Sequence, residues 1–572
     1  MKKLLAAFSI IFIFAVFAYA DTDLEINLDA KAATINLPKI FRPSIDLSGR
    51  GFSRQNTRPQ NLAADEALGA WQKDIGFNSL YRVQYNLWEI AQLAKDKEAQ
   101  DKLLNNYEAV IKNISGADGI VVLNLFGTPA GLGRVLDKRS PPLDLKAFKA
   151  LIKDIMRKFS CEKRYNIWYE VWNAPDLDDF FLGRRQEYLN MYRMVAESAR
   201  ELEAETKIHI PVGGPSVSWW FQNLDGNTII NPEKSLIYEL IKYCYHYRLP
   251  LDFVSWHGYS SNPSAEKEVT IYKKKLAVSL IREWLSYFRF LKDTPLIVDE
   301  WNYDRDTNIL AERQEKAYIA ASFIPARLQD MYEAGINYQL YFSLEDFKGN
   351  KEGVRRNTGI FTFEETNEGY KGSPKVTYNV FKMLKKLGAY MFTPKLDDDF
   401  AGAIATKTED GLAVLIYNYI DTNIVNNYLS QNIAGLNNAE RKFLLSVVKS
   451  DKLGKIINRQ MELKSLRVPK QVSLLLKRCQ ELNDRAVKFK DTPRNIKLTF
   501  SKLKGNYIYQ KYTIDSSCSL DCEFKPAEEK EINILDTYQE QLAMKPYSVN
   551  LIILKEKAVS QDADKPTEPK KE

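Results

Sequence analysis

Apolar and polar positions alternate in two registers along this chain. From about residue 40 to residue 390, short apolar runs are separated by longer stretches whose apolar residues recur at helical spacing. That alternation predicts β/α units wound around a parallel sheet. Strands are expected at Lys39–Leu47, Ser79–Gln84, Gly119–Phe126, Tyr165–Trp172, Lys207–Val212, Asp252–His257, Pro295–Trp301 and Ile336–Phe342. Helices are expected at Asp65–Lys73, Leu87 to about Ile111, Leu145–Phe159, Arg184–Glu203, Ser235–Tyr247, Thr270–Leu291, Ala311–Glu333 and Lys375–Lys386. Eight strands, most followed by a helix, predict a closed (β/α)₈ barrel over residues 39–392. No glycine-rich phosphate loop follows the first strand, which argues against a dinucleotide fold.

Beyond about residue 395 the pattern changes. Ala401–Thr406, Leu412–Tyr417 and Ser548–Leu554 read as strands of a β-sandwich spanning 393–555. A Lys/Leu-rich stretch at 439–488 has helical spacing and reads as an insertion in that sandwich. Its charges are expected to form a solvated face. Residues 21–38 read as a separate N-terminal segment, and 556–572, rich in Lys, Asp, Pro and Glu, as a disordered tail.

At the N-terminus, Lys2 and Lys3 precede an apolar run from Leu4 to about Ala18, then Ala18-Tyr19-Ala20 and Asp21. This is the pattern of a cleavable signal peptide over residues 1–20. The run is shorter than the roughly 20 residues a membrane span needs. The expected location is secreted or periplasmic, with no stable membrane insertion after cleavage.

Composition adds limits. The 572 residues carry 81 Lys+Arg against 74 Asp+Glu, a formal +7 spread along the chain. That excess is too diffuse to indicate nucleic acid. Of five cysteines, Cys518 and Cys522 share a short polar segment and can pair in an oxidising compartment. Their spacing also approaches that of metal ligands, but none of the three histidines (His209, His246, His257) adjoins a cysteine motif. No metal or cofactor is expected.

Reactive side chains of such barrels stand at the C-terminal ends of strands. The seventh strand closes on Asp299, Glu300 and Trp301, the fourth on Trp172, Asn173 and Ala174, and the sixth on Trp256, His257 and Tyr259; Arg82 lies on the second. Together they describe a polar, aromatic-lined pocket of the kind a sugar needs. Aromatic faces stack on sugar rings while polar neighbours take the hydroxyls.

Here "VWNAPDLDDFF" at Val171–Phe181, followed by Tyr188 and Tyr192, resembles the fourth-strand region of glycoside hydrolase family 39. "DFVSWHGYS" at Asp252–Ser260, "PLIVDEWN" at Pro295–Asn302, "GINYQLYFSLEDF" at Gly335–Phe347 and the stretch Asn357–Gly388 resemble its later motifs in the same order. That family includes β-xylosidases and α-L-iduronidases. The resemblance implies an exported glycosidase that cleaves O-glycosidic bonds of oligo- or polysaccharides with retention. Glu300 is implied as nucleophile and Asn173 as partner of the sugar 2-hydroxyl. Trp172, Trp256, His257, Tyr259 and Trp301 are implied to line the site, and Arg82 to support the nucleophile's charge.

The departure from the family pattern is Ala174, which stands where the family's acid/base glutamate is expected. Retention needs two carboxyl groups roughly 5–5.5 Å apart, and alanine supplies neither proton nor base. Asp176, two residues on, is the candidate substitute acid, with helix capping or loop bonding as its ordinary role. Glu170 is expected in the barrel's interior network. Glu345 and Asp346 follow the eighth strand and could face the pocket, on the side that the family resemblance implies is wrong for protonation. Were the sugar a uronate, Arg134, Arg305 or Lys348 are candidate partners. The competing reading is a carbohydrate-binding protein with impaired turnover.

Overall fold

The structure is a computed structural model. It describes residues 24–32, 35–48, 66–220, 231–270, 273–303, 316–348, 355–356, 358–362, 364–366, 369–392, 398–518 and 522–557. The expected signal peptide, most of the expected tail, Arg305 and the Lys348 side chain lie outside them.

Eight parallel strands close a barrel: β1 (Ile45–Asp46), β2 (Leu80–Asn86), β3 (Ile120–Phe126), β4 (Ile167–Val171), β5 (Val212–Val217), β6 (Phe253–His257), β7 (Leu296–Trp301) and β8 (Tyr338–Phe342). β8 pairs with both β1 and β7, which completes the ring. One inner layer is apolar, with Leu80, Val122, Phe253, Ile297 and Leu340 in contact. A single interior plug of this kind makes the barrel a packed core rather than a pore.

Several elements differ from the sequence expectation. The first strand is short because Lys39–Phe41 forms a 3₁₀ turn. The fifth begins at Val212, so Gly213-Gly214-Pro215 lies within it rather than after it. Gly213 is required there: a Cβ would sit 2.4 Å from the carbonyl oxygen of Phe253 on the neighbouring strand. A glycine run reads as a loop from sequence, yet in a strand it marks close backbone approach. The single helix expected after β2 is two, Leu87–Gln92 and Lys97–Ser115. Asp96 accepts a bond from the Ala99 amide and restarts the second as its N-cap. Ser235 and Asp144 cap the helices Leu236–Tyr247 and Leu145–Met156 in the same way.

The C-terminal unit has two sheets. Seven strands run in the spatial order Ile35–Asn36, Tyr390–Met391, Ala401–Thr408, Gly411–Asn418, Ser548–Glu556, Gly505–Ile514 and Glu528–Ile534. Three more, Leu24–Asp29, Arg494–Ser501 and Tyr538–Met544, form the facing sheet. Ile26, Leu28, Ile496, Leu498, Leu542, Val414 and Ile552 meet in their shared core. Leu24–Asp29 and Ile35–Asn36, from the expected N-terminal segment, are thus strands of these two sheets. Leu24–Asp29 pairs in parallel with Arg494–Ser501, some 470 positions on, a partner no local pattern announces. Between strands Gly411–Asn418 and Arg494–Ser501 lies the helical insertion. It is longer than expected, with helices Ile424–Asn432, Asn438–Lys449, Leu453–Ile457 and Lys470–Asp491 around a core of its own. Cys518 and Cys522 are joined by a disulfide. Among the described residues no helix is long and apolar enough to cross a membrane, and no His/Cys/Asp/Glu group is arranged to hold a metal.

Candidate active site

Arg82 organises the upper end of the barrel interior. It is fully buried on β2, where alternation turns it inward. Its Nε donates to Glu170 Oε2 at 2.6 Å, Nη1 to Asp46 Oδ2 at 2.7 Å, and Nη2 to Asn173 Oδ1 at 2.6 Å and Ser216 Oγ at 3.1 Å. The same Nη1 lies 3.6 Å from Glu300 Oε1. One guanidinium thus links β1, β2, β4, β5 and β7. A buried cation is tolerable only when paired and bonded this fully.

Glu300 completes the arrangement. Its Oε2 is 2.9 Å from Nδ1 of His257, whose Nε2 is 3.2 Å from Ser216 Oγ. Tyr259 also hydrogen-bonds its carboxylate. β7 is irregular here: Trp256 pairs with Val298 but His257 with Glu300. That bulge brings two consecutive carboxylates, Asp299 and Glu300, to the polar interior, where a regular strand would bring one.

The electrostatics follow from this packing. Burial pushes the Glu300 carboxyl up, but the facing His257, Arg82 and Tyr259 overcome it and hold it at about 2. Burial pushes His257 down, and the Glu300 and Asp299 carboxylates overcome that, raising it to about 9. Asp299 is fully buried and pushed well above the carboxylate range, first by burial and then by Glu170 beside it. Glu170 accepts from Arg82 at 2.6 Å, Asn124 at 2.9 Å and Ser255 at 2.7 Å. Asp46 is raised to about 6 by burial. Near pH 7 the interior holds Arg82 and His257 as cations facing Glu170, Glu300 and Asp46 as anions.

His257 is raised from 6.5, so its contribution to stability is complete below that value and disappears as pH rises through about 9. Glu300 is depressed from 4.5, so its contribution is complete above that value and is lost as pH falls toward about 2. Denaturant titrations across pH should show His257→Gln losing the stability decline near pH 9 that the parent shows. An unchanged decline in the variant would break the assignment.

The remaining expected site residues fall into two groups. Asn173 is in the cluster; its Oδ1 is taken by Arg82, and its Nδ2 has no partner among the described residues. Tyr259 is half-buried and packs against His257 and Phe342. The three tryptophans differ from expectation. Trp301, expected to face the sugar, is fully buried between Phe323 and Tyr341, and its indole N–H donates to Gln339 at 2.7 Å. Trp256 packs on Trp220. Alternation sends both toward the helices, because their neighbours Glu300 and His257 point inward. Trp172 is buried against Phe126 and Phe181, with its N–H on the Phe180 carbonyl at 3.1 Å.

Ala174 follows Asn173 in a left-handed conformation, φ 45°. Its N–H donates to the Ser216 carbonyl at 2.9 Å and it is buried. Asp176, the candidate substitute acid, is engaged elsewhere: Oδ1 accepts from the Ser218 amide at 2.8 Å and Oδ2 from its hydroxyl at 2.5 Å. It ties the loop after β4 to the end of β5. Burial raises it, and the Ser218 bonds oppose that. Asp346 pairs with Lys375 at 2.7 Å and accepts from the Gly359 amide, away from the cluster. Arg134 pairs with Glu187 at 2.9 Å.

Sequence reading missed Asp46, Asn124, Ser216 and Ser255 as members. Their signal is slight, a polar residue inside an otherwise apolar strand, as Asn124 is in Ile120–Phe126.

Residues 135–448 match the model of glycosyl hydrolases family 39. The chain belongs to that family. Among curated relatives of this family 39 chain, a β-xylosidase of Geobacillus stearothermophilus is 24% identical over 300 residues, 49% of the chain and 53% of the relative. A β-xylosidase of Caldicellulosiruptor saccharolyticus is 24% identical over 296 residues, 49% and 54%. The matches thus span about half the length of these relatives. Similar folds include a glucosidase from Croceicoccus marinus (TM-score 0.59, 15% identity, 94% of this chain and 99% of that one). A monomeric β-xylosidase from Caulobacter crescentus CB15 gives TM-score 0.59 at 16% identity, covering 94% and 100%. At such identities these likenesses establish the barrel-plus-sheet fold alone.

Proposed function

We propose that this family 39 chain is an exported glycosidase acting on O-glycosidic bonds of oligo- or polysaccharides with retention, with Glu300 as nucleophile. The observation that carries the reading is the Glu300 carboxylate, held ionised by His257 and Arg82 at the C-terminal end of β7. An anion kept below its ordinary range is unprotonated and ready to attack an anomeric carbon. Asn173, oriented by Arg82, offers Nδ2 to the 2-hydroxyl. The β-xylosidase names of the relatives favour a xylose-type substrate. The N-terminal leader pattern supports export to an oxidising compartment, with which the Cys518–Cys522 pair is consistent.

Ala174 in the acid/base position favours a second reading, carbohydrate binding with impaired turnover. General acid–base help contributes about 10²–10⁴-fold, and Asp176 is committed to Ser218. An aryl β-xyloside with a very good leaving group tests the nucleophile apart from the lost acid/base, since its departure needs no acid. The expected result is a covalent adduct mapped by mass spectrometry to Glu300, with azide speeding its breakdown. No adduct at Glu300 would sink the nucleophile assignment.

Asp176→Asn should lower stability by about 1–3 kcal/mol, the cost of weakening a buried bonded pair, and change turnover less than a few-fold. Chemical denaturation and steady-state rates check this. A loss of turnover far exceeding the loss of stability would instead make Asp176 the relocated acid.

A further inference from the structure

A cavity of about 270 Å³ lies away from the Arg82 cluster, where the barrel, the sandwich and the helical insertion meet. The barrel contributes Asn262 and Asp330, the sandwich Tyr417 and Tyr419, and the insertion Asn427 and Tyr428. Along the strand Gly411–Asn418, Leu412, Val414 and Ile416 enter the sandwich core. Ala413, Leu415 and Tyr417 face the barrel, so Tyr417 closes the cavity from the sandwich side. Its ring lies tight over Gly402, where a Cβ would come within 2.1 Å of the Tyr417 hydroxyl. Only glycine admits the ring in that place.

Tyr417 is 7% exposed, lines the cavity, and its hydroxyl has no hydrogen bond among the described residues. The ring is enclosed while the hydroxyl reaches the cavity, its hydrogen-bonding capacity not committed to the described residues. Three of the cavity's four carboxylates, by contrast, are paired with cations within the protein. Asp330 pairs with Lys267, Asp398 with Arg485 and Arg494, and Asp399 with Arg478 and Arg485. Asp421 accepts from the Asn423 amide at 2.9 Å and from Asn427 Nδ2 at 2.6 Å. What remains is polar: amides, hydroxyls and the Asp421 carboxylate, which has hydrogen bonds but no ion pair among the described residues, beside tyrosine rings. Those groups recognise a polyhydroxylated ring. The volume sits at the lower end of ligand pockets, roughly 300 Å³ upward, and suits a single ring.

We propose that this junction is a second carbohydrate-binding site, taking one neutral sugar unit, with the Tyr417 hydroxyl and the Asp421–Asn427 pair as its hydrogen-bonding partners. It does not depend on the assignment of Glu300. A site here would hold a polymer on the sandwich side while the barrel works on another part of it.

The test is calorimetric binding of D-xylose, D-glucose and D-galactose to the full chain, with glucosamine as a cationic comparison. At least one neutral sugar should bind, about tenfold more weakly to Tyr417→Phe and to Asn427→Ala, with undiminished binding in Glu300→Gln. Tyr417→Phe removes one oxygen and should leave the thermal midpoint unchanged, which separates lost binding from lost folding. Binding of none of the neutral sugars would overturn the proposal. So would binding that both junction variants retain, or glucosamine binding more tightly than glucose.

Discussion

Glu300→Gln should lower turnover of an activated aryl glycoside by on the order of 10⁴-fold or more, as loss of a covalent nucleophile does in enzymes that use one. Glutamine has nearly the same shape, so the cleft is kept. What goes is the negative charge and the oxygen that forms the bond. The imidazole of His257, 2.9 Å away, also loses the main anion that raises it. Its titration should move back toward the ordinary histidine range, which NMR of the ring protons reads directly. Folding should survive, because Arg82 keeps Asp46 and Glu170 as ion partners. A variant with parental rates, or one still labelled at another carboxylate, would show that the chemistry lies elsewhere.

Ala174→Glu should raise turnover of glycosides with poor leaving groups by about 10²–10⁴-fold, the usual worth of a positioned general acid–base group. The same change should matter far less for a leaving group that departs unprotonated. The backbone is no obstacle. Position 174 is already left-handed, with φ 45°, and alanine has met the cost that any residue with a Cβ meets there. The peptide is held by the bond from the Ala174 amide to the Ser216 carbonyl. Rates for a leaving-group series in parent and variant measure the effect as a flattened dependence on leaving-group pKa. A variant that folds, labels Glu300 and still gains nothing would show that position 174 does not face the departing oxygen.

The barrel was legible because its signal is local. Apolar runs such as Leu296-Ile297-Val298 and amphipathic runs such as Arg185–Thr206 each report their own conformation, and eight repetitions in order leave few alternatives. Glu300, Asn173, His257 and Arg82 were legible for a related reason. Polar residues at the ends of apolar strands are costly unless used, and their motifs resemble the family's. Trp301 and Trp256 misled because a sequence motif lists neighbours without saying which side of the strand each takes. The bulge in β7 also puts Asp299 inside beside Glu300, contrary to simple alternation.

The chain's own order of residues determines the alternating β/α units, the helix caps at Asp96, Asp144 and Ser235, and the carboxylate at the close of β7. Each depends on contacts within a few positions. Tertiary structure alone decides that Leu24–Asp29 belongs with Arg494–Ser501, that Asp176 is spent on Ser218, and that one guanidinium serves five strands. Those outcomes turn on which distant groups burial forces together. Hydrogen bonds and ion pairs out of water must find partners wherever the fold supplies them.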